Sequence, residues 1–348
     1  MQHFKQTLHH WYKLNKRELP WRYTKDPYKI WISEIILQQT RVQHGISYYE
    51  KFIERFPTIM NLAKANEDEV LKLWQGLGYY SRARNLHQAA KSIIKNFNGK
   101  FPDDYQDILS LKGIGPYTAA AIASIAFGLH HATVDGNVYR VLSRYFGIET
   151  PIDSTSGKKF FGNLADELIL DSEPGMHNQA LMEFGALQCV PKNPECGNCP
   201  LGHSCFAAAN KMVNALPVKE KKTKQNERFF YYYLLDDGKY IYLEKRTAND
   251  IWKNLYQFPL IELDRNLSEA HILEMNIPFI RSEFVNIVSV SGSKKHILSH
   301  QIIHARLIHV EISENAAIPK SFVKVKQKDI SKFAIPRLLE LFIEALDF

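Results

Sequence analysis

Apolar side chains recur every three or four positions through the first 215 residues, which is the period of an amphipathic α-helix. Asn66 is followed by three acidic residues, Glu67–Glu69, and negative charge in a first turn is typical of a helix N-terminus. The pattern therefore predicts a mostly α-helical region. Its clearest segments read YKIWISEIILQQ, DEVLKLWQGLGYY, ARNLHQAAKSIIKNF and YTAAAIASIAF.

A different pattern begins after residue 216. Residues 217–228, PVKEKKTKQNER, are charged and almost free of apolar side chains, which is typical of a linker. The following segment, FFYYYLLDDGKYIYLEKR, predicts two strands joined by a hairpin at 236–239. Residues 284–312 are again strand-rich, and SKFAIPRLLELFIEAL at the end of the chain predicts an amphipathic helix. We therefore expect a helical region over 1–216 and an α+β domain over 229–348.

Composition agrees with two globular domains. A chain of 348 residues is too long for one ordinary core, and 45% hydrophobic with 23% charged residues excludes a disordered protein. The formal charge of +7 favours a polyanionic partner. The N-terminus lacks the apolar core of a signal peptide, and no segment is long enough to span a bilayer, so we expect a cytoplasmic protein without a membrane partner.

All four cysteines of the chain lie within 17 residues, spaced as Cys189-x6-Cys196-x2-Cys199-x5-Cys205. In a reducing compartment, clustered thiols indicate a metal centre more often than disulfides. Thiolates at these spacings can hold either a structural zinc ion or a [4Fe–4S] cluster, and the spacing alone leaves both open.

The segment Leu111–Gly115, LKGIG, lies between two helical patterns. Gly113 and Gly115 allow backbone conformations that a side chain would forbid, and they expose N–H groups at the start of the next helix, where a phosphate can bind. This is the hairpin of a helix–hairpin–helix DNA-binding element. The alternative is an ordinary turn between helices with no ligand.

Two carboxylates, Glu34 and Asp135, are candidates for acid–base chemistry because of the segments in which they lie. Glu34 lies in an apolar helix, where burial raises the pKa of a carboxyl and suits it to general-acid work; the alternative is an ion-paired or solvated glutamate, because Gln38 and Arg41 share its stripe. Asp135 falls where a helix begins, so it is an N-cap, a carboxylate in a cleft, or both. Glycosidic bonds break through a cationic sugar, and an acid with a second carboxylate is the pair this requires.

Taken together, the motifs resemble those of adenine DNA glycosylases of the MutY type, and the resemblance covers essentially the whole chain. It implies a helix–hairpin–helix glycosylase fold with a [4Fe–4S] cluster loop at 189–205, followed by a Nudix-like domain that recognises 8-oxoguanine. The matching motifs, in the family's order, are LPWR at 19–22, SEIILQQTRV at 33–42, GLGYYSRARNLH at 76–87, LKGIGPYTA at 111–119, VDGNVYRVL at 134–142 and the four cysteines.

The resemblance also assigns roles. It makes Glu34 the acid that protonates adenine at N7 and Asp135 the carboxylate that stabilises or captures the oxocarbenium sugar, with Tyr117 and Asn137 assisting. It makes the four cysteines the cluster ligands. The residues it assigns to DNA or to the lesion are Arg22, Gln39, Thr40, Leu77, Tyr79, Gly113, Gly115, Ser299 and His300. Packing or surface roles are the alternatives for Leu77 and for the Ser299–His300 pair, and Leu298 stands where the family has Phe.

The expected reaction is hydrolysis of adenine from duplex DNA containing 8-oxoguanine:adenine or guanine:adenine pairs, by a monomer. Endonuclease III-type relatives have a Schiff-base lysine where this chain has Tyr117, which cannot form an imine, so we expect an abasic site as the product. Nucleotide hydrolysis by the C-terminal domain is not expected, because only Gly238 and Glu244 of a Nudix metal-binding motif are present.

Two alternatives remain. A bifunctional glycosylase–lyase acting on oxidised pyrimidines is disfavoured by Tyr117 and by the additional C-terminal domain. A non-catalytic iron–sulfur DNA-binding protein is disfavoured because binding needs neither Glu34 nor Asp135.

Overall fold

The computed structural model describes residues 1–220, 225–277 and 279–346. Contacts divide the chain into two compact units. The first comprises Met1–Lys64 and Asn85–Lys221, and the second comprises Ala65–Arg84 and Lys222–Phe348. The second unit thus includes a segment that precedes the predicted linker by more than 130 residues. The domain boundaries drawn from the sequence stay a prediction, and residues 221–224 of the predicted linker lie outside the described residues.

The region before the linker is helical, as predicted. Its helices are α1 (Gln2–Asn15), α2 (Pro27–Leu37), α3 (Val42–Arg55), α4 (Ile59–Lys64), α5 (Glu67–Leu73), α6 (Ser81–Asn96), α7 (Tyr105–Ser110), α8 (Pro116–Phe127), α9 (Gly136–Phe146), α10 (Thr155–Ile169), α11 (Pro174–Leu187) and α12 (Phe206–Ala209). The side chain of Asn66 accepts a hydrogen bond from the Asp68 amide, which confirms the predicted start of α5.

Two of these helices, α2 and α8, pack against each other in the first unit. Their buried stretches, 30–36 and 118–124, are apolar on nearly every side, which is typical of helices inside a core. Pro27 and Pro116 occupy the first turns, where the missing proline N–H costs nothing. These buried helices provide a rigid support for the side chains at their ends.

The second unit is built around a mixed sheet. Its strands are β1 (Asn226–Asp236), β2 (Tyr240–Lys245), β3 (Tyr256–Gln257), β4 (Leu260–Leu263), β5 (Val285–Val290), β6 (Lys294–Ile297), β7 (Gln301–Ile312) and β8 (Val323–Lys326). β1 runs parallel to β7 and antiparallel to β2 and β4. The predicted hairpin is present, and Gly238 has the left-handed φ of 86° that its turn requires.

The aromatic run of β1 is buried on both faces of the sheet. Phe230 and Tyr232 belong to a core that includes the helix α14 (Arg337–Ile343), whereas Tyr231 and Tyr233 belong to a second core that includes α13 (Glu269–Leu273). Because both faces are covered, the strand has no alternation of polar and apolar residues.

The C-terminal helix is shorter than predicted, because α14 begins only at Arg337. Pro336 is its N-cap, and the residue before a proline is driven out of the helical conformation. Upstream, Gln327–Lys332 forms a 3₁₀ helix. The predicted combination of a mostly α region and an α+β domain is confirmed. Within the described residues, no helix is long and apolar enough to cross a membrane.

Candidate active site

A cavity of about 680 Å³ opens in the first unit between the end of α2 and the starts of α8 and α9, with α11 along one wall. The four residues predicted to be catalytic, which are far apart in sequence, all line it: Glu34, Tyr117, Asp135 and Asn137. The structure therefore brings the two candidate carboxylates to one cavity, although their roles stay predictions.

Glu34 is only 9% exposed on the buried helix α2. Burial raises the pKa of its carboxyl to about 7; a hydrogen bond with Tyr117 opposes this shift, and the charge of Asp135 adds to it. A solvated glutamate is excluded by this burial. Arg41, which the sequence pattern placed on the same stripe as Glu34, lies beyond the end of α2 and occupies the N-cap position of α3. Near neutral pH a substantial fraction of Glu34 carries a proton that it can donate.

The hydroxyl of Tyr117 connects Glu34 to α11. It is hydrogen-bonded to the Glu34 carboxyl and lies 3.1 Å from Sδ of Met182. Burial, reinforced by the nearby carboxylates, raises the pKa of Tyr117, so the side chain is a neutral hydroxyl. Tyr117 therefore lies next to the carboxyl that faces the cavity and links it to α11.

Asp135 is the N-cap of α9 and also faces the cavity. The geometry therefore agrees with both alternatives from the sequence, a helix cap and a carboxylate in a cleft. Its Oδ1 accepts hydrogen bonds from the amides of Asn137 and Val138, both at 2.8 Å, and its Oδ2 accepts one from Nδ2 of Asn137 at 2.8 Å. Burial raises the pKa of Asp135, and these hydrogen bonds oppose that rise because they favour the ionised form. The helix N-terminus adds a favourable dipole for the same charge.

Arg140 connects this carboxylate to the cysteine-rich loop. Its Nη2 donates to Oδ1 of Asn137 at 2.8 Å, and its Nε donates to the carbonyl of Cys189 at 2.7 Å. Because Asn137 in turn donates to Asp135, an unbroken chain of hydrogen bonds runs from Cys189 to the cavity.

The four cysteines are free thiols that line one small void of about 30 Å³. Arg144 lies beside them and donates to Sγ of Cys189 at 3.5 Å and to the carbonyl of Val190 at 2.8 Å. Four thiols around one void are a donor set that fits a thiolate-bound metal centre. The agreement is in the type of donor and not in the geometry, because in the described part of the chain no three His, Cys, Asp or Glu side chains are placed to hold a metal ion.

Glu183, which no sequence motif singled out, lines the cavity from α11 and is 2% exposed. Both terminal nitrogens of Arg22 donate to its carboxylate, at 2.9 and 2.8 Å, and Nε of Arg17 donates at 2.9 Å. Burial opposes its ionisation, but these hydrogen bonds outweigh burial and lower the pKa of Glu183 to about 2. Arg22, predicted to contact DNA, is therefore paired with Glu183 in the cavity wall. A single acid in the apolar run ALMEFGAL, the signal that identified Glu34, could have revealed it.

The glycine hairpin has the predicted local geometry. Gly113 has a φ of 81°, and a Cβ there would lie 2.6 Å from Cβ of Asn85, so only glycine fits. Gly115 is the N-cap of α8. Gln39 and Thr40, which follow α2, line the same cavity as Glu34, and Gln39 has a left-handed φ of 57°.

The other predicted lesion contacts meet in a cavity of about 640 Å³ within the second unit. Ser299 and His300 form the exposed turn between β6 and β7, and the Ser299 hydroxyl is hydrogen-bonded to that of Tyr79. Tyr79 is 46% exposed, whereas Leu77 is 8% exposed, so packing accounts for most of the Leu77 side chain. These four residues therefore share one surface, as the resemblance implies.

Comparison with known proteins identifies the family. Residues 32–160 match the HhH-GPD superfamily base excision DNA repair protein family, and residues 230–345 match the NUDIX domain family. The adenine DNA glycosylase of Buchnera aphidicola subsp. Baizongia pistaciae is 39% identical over 317 residues, covering 89% of this chain and 87% of that protein. The chain belongs to the adenine DNA glycosylase family. It is a base excision repair enzyme that hydrolyses an N-glycosidic bond in DNA.

Solved structures agree with the fold of this adenine DNA glycosylase. A thermostable thymine-DNA glycosylase has a TM-score of 0.56 and 33% identity, covering 60% of this chain and 95% of its own. A non-covalent endonuclease III–DNA complex has a TM-score of 0.52 and 23% identity, covering 61% of this chain and 97% of its own, and this likeness concerns the fold alone. The predicted helix–hairpin–helix glycosylase fold with a Nudix-like domain is confirmed.

Proposed function

We propose that this adenine DNA glycosylase excises adenine paired with 8-oxoguanine, and also with guanine, and leaves an abasic site. The main support for this proposal is that Glu34 and Asp135 line the same cavity and that burial raises the pKa of Glu34 to about 7. We further propose that it works as a monomer in the cytoplasm.

The chemistry follows from these two carboxyls. Adenine must leave the base stack to be reached, and a cavity of about 680 Å³ is within the usual size range for a small-molecule site. Glu34 donates its proton to N7, the C1′–N9 bond breaks with its electron pair passing to adenine, and positive charge develops on the sugar. Asp135 stabilises or captures that cation. A water molecule then adds its oxygen at C1′, displacing Asp135 where a bond to it has formed, and the released proton passes to the Glu34 carboxylate, which restores the acid.

Tyr117 and Asn137 assist by holding the two carboxyls. Tyr117 is hydrogen-bonded to Glu34, and Asn137 donates to Oδ2 of Asp135. We infer a monofunctional enzyme because a Schiff base requires an amine. Tyr117 supplies none, and the described residues that line the cavity include no lysine.

Recognition of the opposite base belongs, in this proposal, to the surface of the second unit formed by Tyr79, Ser299 and His300, with Leu77 packed beside them. The family resemblance also assigns Gln39 and Thr40 to the lesion, and these two residues line the cavity of the first unit. 8-Oxoguanine differs from guanine by an N–H at position 7 and a carbonyl at position 8. A hydroxyl can both donate and accept. The Ser299 and Tyr79 hydroxyls therefore suit this lesion edge.

For DNA contact we propose that the glycine hairpin at Gly113 and Gly115 presents the first-turn backbone N–H groups of α8 to a phosphate; Pro116, the first residue of that helix, has no N–H of its own. Arg22 supports the cavity wall through Glu183 and adds positive charge beside it.

We also propose a [4Fe–4S] cluster on Cys189, Cys196, Cys199 and Cys205, as the family resemblance implies. When bound, the cluster would cross-link the loop and take no part in bond cleavage. Arg140 then holds Asn137 against a loop whose position the four thiolates fix.

The test is a single-turnover assay on duplexes that differ in one pair, 8-oxoguanine:adenine, guanine:adenine, 8-oxoguanine:cytosine or guanine:thymine, with and without hot alkali. We expect alkali-dependent cleavage at adenine, faster opposite 8-oxoguanine, and none at thymine or cytosine. Asp135→Asn and Glu34→Gln serve as inactive controls. Strand cleavage without alkali, or efficient borohydride trapping of a protein–DNA adduct, would establish lyase chemistry instead.

A further inference from the structure

We propose that one face of α11 positions the catalytic carboxylate, with Asn178 and Gly185 as its two positioning residues. The inference rests on the role proposed above for Asp135. Neither residue touches the reacting atoms; each acts on the chain next to Asp135, one before it and one after it.

Asn178 fixes the irregular segment between α8 and α9. Its Oδ1 accepts from the amide of Thr133 at 3.0 Å, and its Nδ2 donates to the carbonyl of His131 at 2.8 Å. The remaining Nδ2 hydrogen is used by Oγ of Ser124 on α8, at 2.8 Å. Asn178 is 1% exposed, so water does not substitute for these bonds. The side-chain amide of Asn178 thus bonds one backbone N–H and one backbone carbonyl, as a neighbouring strand would. The nearer of these two residues, Thr133, lies two positions before Asp135.

Gly185 acts on the other side of Asp135. A Cβ at this position would lie 2.6 Å from Cβ and 3.0 Å from the carbonyl oxygen of Asn137, so only glycine lets α11 approach the start of α9 this closely. Its own carbonyl accepts from Nη2 of Arg140 at 2.6 Å, and that same nitrogen holds Oδ1 of Asn137. Any side chain here would displace the amide that donates to Asp135.

The two residues are seven positions apart, which is two helical turns, so they lie on the same face of α11. Because α11 is one rigid element, it sets the distance between the segment that enters Asp135 and the residue that follows it. Reaction rates depend steeply on such placement, and misplacement by about 1 Å costs on the order of a hundredfold.

The first experiment measures single-turnover adenine excision by the full chain at saturating enzyme. For Asn178→Ala and Gly185→Ala we expect rates lower by roughly tenfold to a hundredfold. Affinity for an 8-oxoguanine duplex carrying an uncleavable 2′-fluoro adenosine should stay within about twofold, because neither residue contacts DNA in this account. Unchanged rates would overturn the inference. If Asn178→Ala does not fold, Asn178→Asp, which keeps the acceptor and loses both donors, gives the same test.

Ser143→Ala is the matched control. Ser143 is fully buried on α9, the helix that Asp135 begins. Its hydroxyl donates to the carbonyl of Ile148 at 2.9 Å, at the end of α9 that is away from Asp135. Its loss removes a comparable buried hydrogen bond, so we expect lower stability with an unchanged saturating rate. A rate loss in this control as large as in Asn178→Ala would assign both effects to general destabilisation and overturn the inference.

A double-mutant cycle asks whether Asn178 acts through Asp135. In an Asp135→Glu background the longer side chain has already moved the carboxylate, so adding Asn178→Ala should change the remaining rate by less than about twofold. Multiplicative losses would refute a shared mechanism. A fully active Asp135→Asn variant would defeat the proposed role of Asp135 itself, whereas an inactive Asp135→Asn with a normal Asn178→Ala would defeat only the present inference.

Discussion

Replacing Glu34 by Gln should stabilise the protein at neutral and alkaline pH while it abolishes base release. The carboxyl is buried, and burial raises its pKa from the usual 4.5 to about 7. Between these two values the unfolded chain has released a proton that the folded protein still holds. The free energy of unfolding therefore falls as pH rises through this window, and it levels off above pH 7.

The size of the effect follows from that shift. Each pKa unit corresponds to about 1.4 kcal/mol, so the shift of Glu34 is equivalent to about 3 kcal/mol of stability lost between pH 4.5 and pH 7. Glutamine has no proton to release. Compared with the parent, Glu34→Gln should gain little at pH 4.5 and about 3 kcal/mol at pH 8.

The assay is urea unfolding of both proteins at several pH values, followed by fluorescence. The difference between the two midpoints should widen steadily from pH 4.5 to 7 and then stay constant. Asp135→Asn serves as a comparison. Burial also raises the pKa of Asp135, but its hydrogen bonds to α9 oppose that rise, so the pH-dependent part of the difference in stability should be smaller than for Glu34→Gln. A constant difference at all pH values, or a variant less stable than the parent at pH 8, would refute the assignment of a raised pKa to Glu34.

Three further results are expected. Arg140→Gln breaks the connection from Asn137 to the Cys189 carbonyl and should lower the saturating excision rate about tenfold. Visible absorbance shows whether the proposed cluster is retained, and a normal rate would show that the hydrogen bonds from the cysteine loop do not affect catalysis. Glu183→Gln leaves two arginines without their buried partner and should cost about 3–5 kcal/mol in urea unfolding; a loss below 1 kcal/mol would show that the network contributes little. Ser299→Ala should reduce the preference for 8-oxoguanine:adenine over guanine:adenine about tenfold by removing one hydrogen-bonding group, and equal losses on both substrates would assign Ser299 to packing.

Local features were predictable from the sequence because their causes are local. The start of α5 depends on Asn66 and the acidic turn behind it, and the hairpin depends on Gly238. The raised pKa of Glu34 could be anticipated because its neighbours along the helix are apolar. The late start of α14 also has a local cause, Pro336, which the periodicity of the segment concealed.

Long-range features were not predictable in this way. Periodicity contains no information about residue pairs such as Asp68 and Lys245, which form an ion pair of 2.5 Å within the second unit, or about the grouping of residues 65–84 with that unit. The pairing of Arg22 with Glu183 joins residues 161 positions apart, so Arg22 could be predicted as basic but not as paired. Asn178 shows the same limit, because a polar residue in α11 indicates burial or exposure equally well until its partners are known.

We propose that Glu34 supplies a proton to adenine in a cavity it shares with Asp135. The measurement that checks this claim is the pH dependence of single-turnover excision from an 8-oxoguanine:adenine duplex at saturating enzyme. With the pKa of Glu34 at about 7, the rate should be half-maximal near that pH and fall tenfold for each further unit. A rate that stays constant from pH 6 to pH 9, or a Glu34→Gln variant that matches the parent, would contradict the claim.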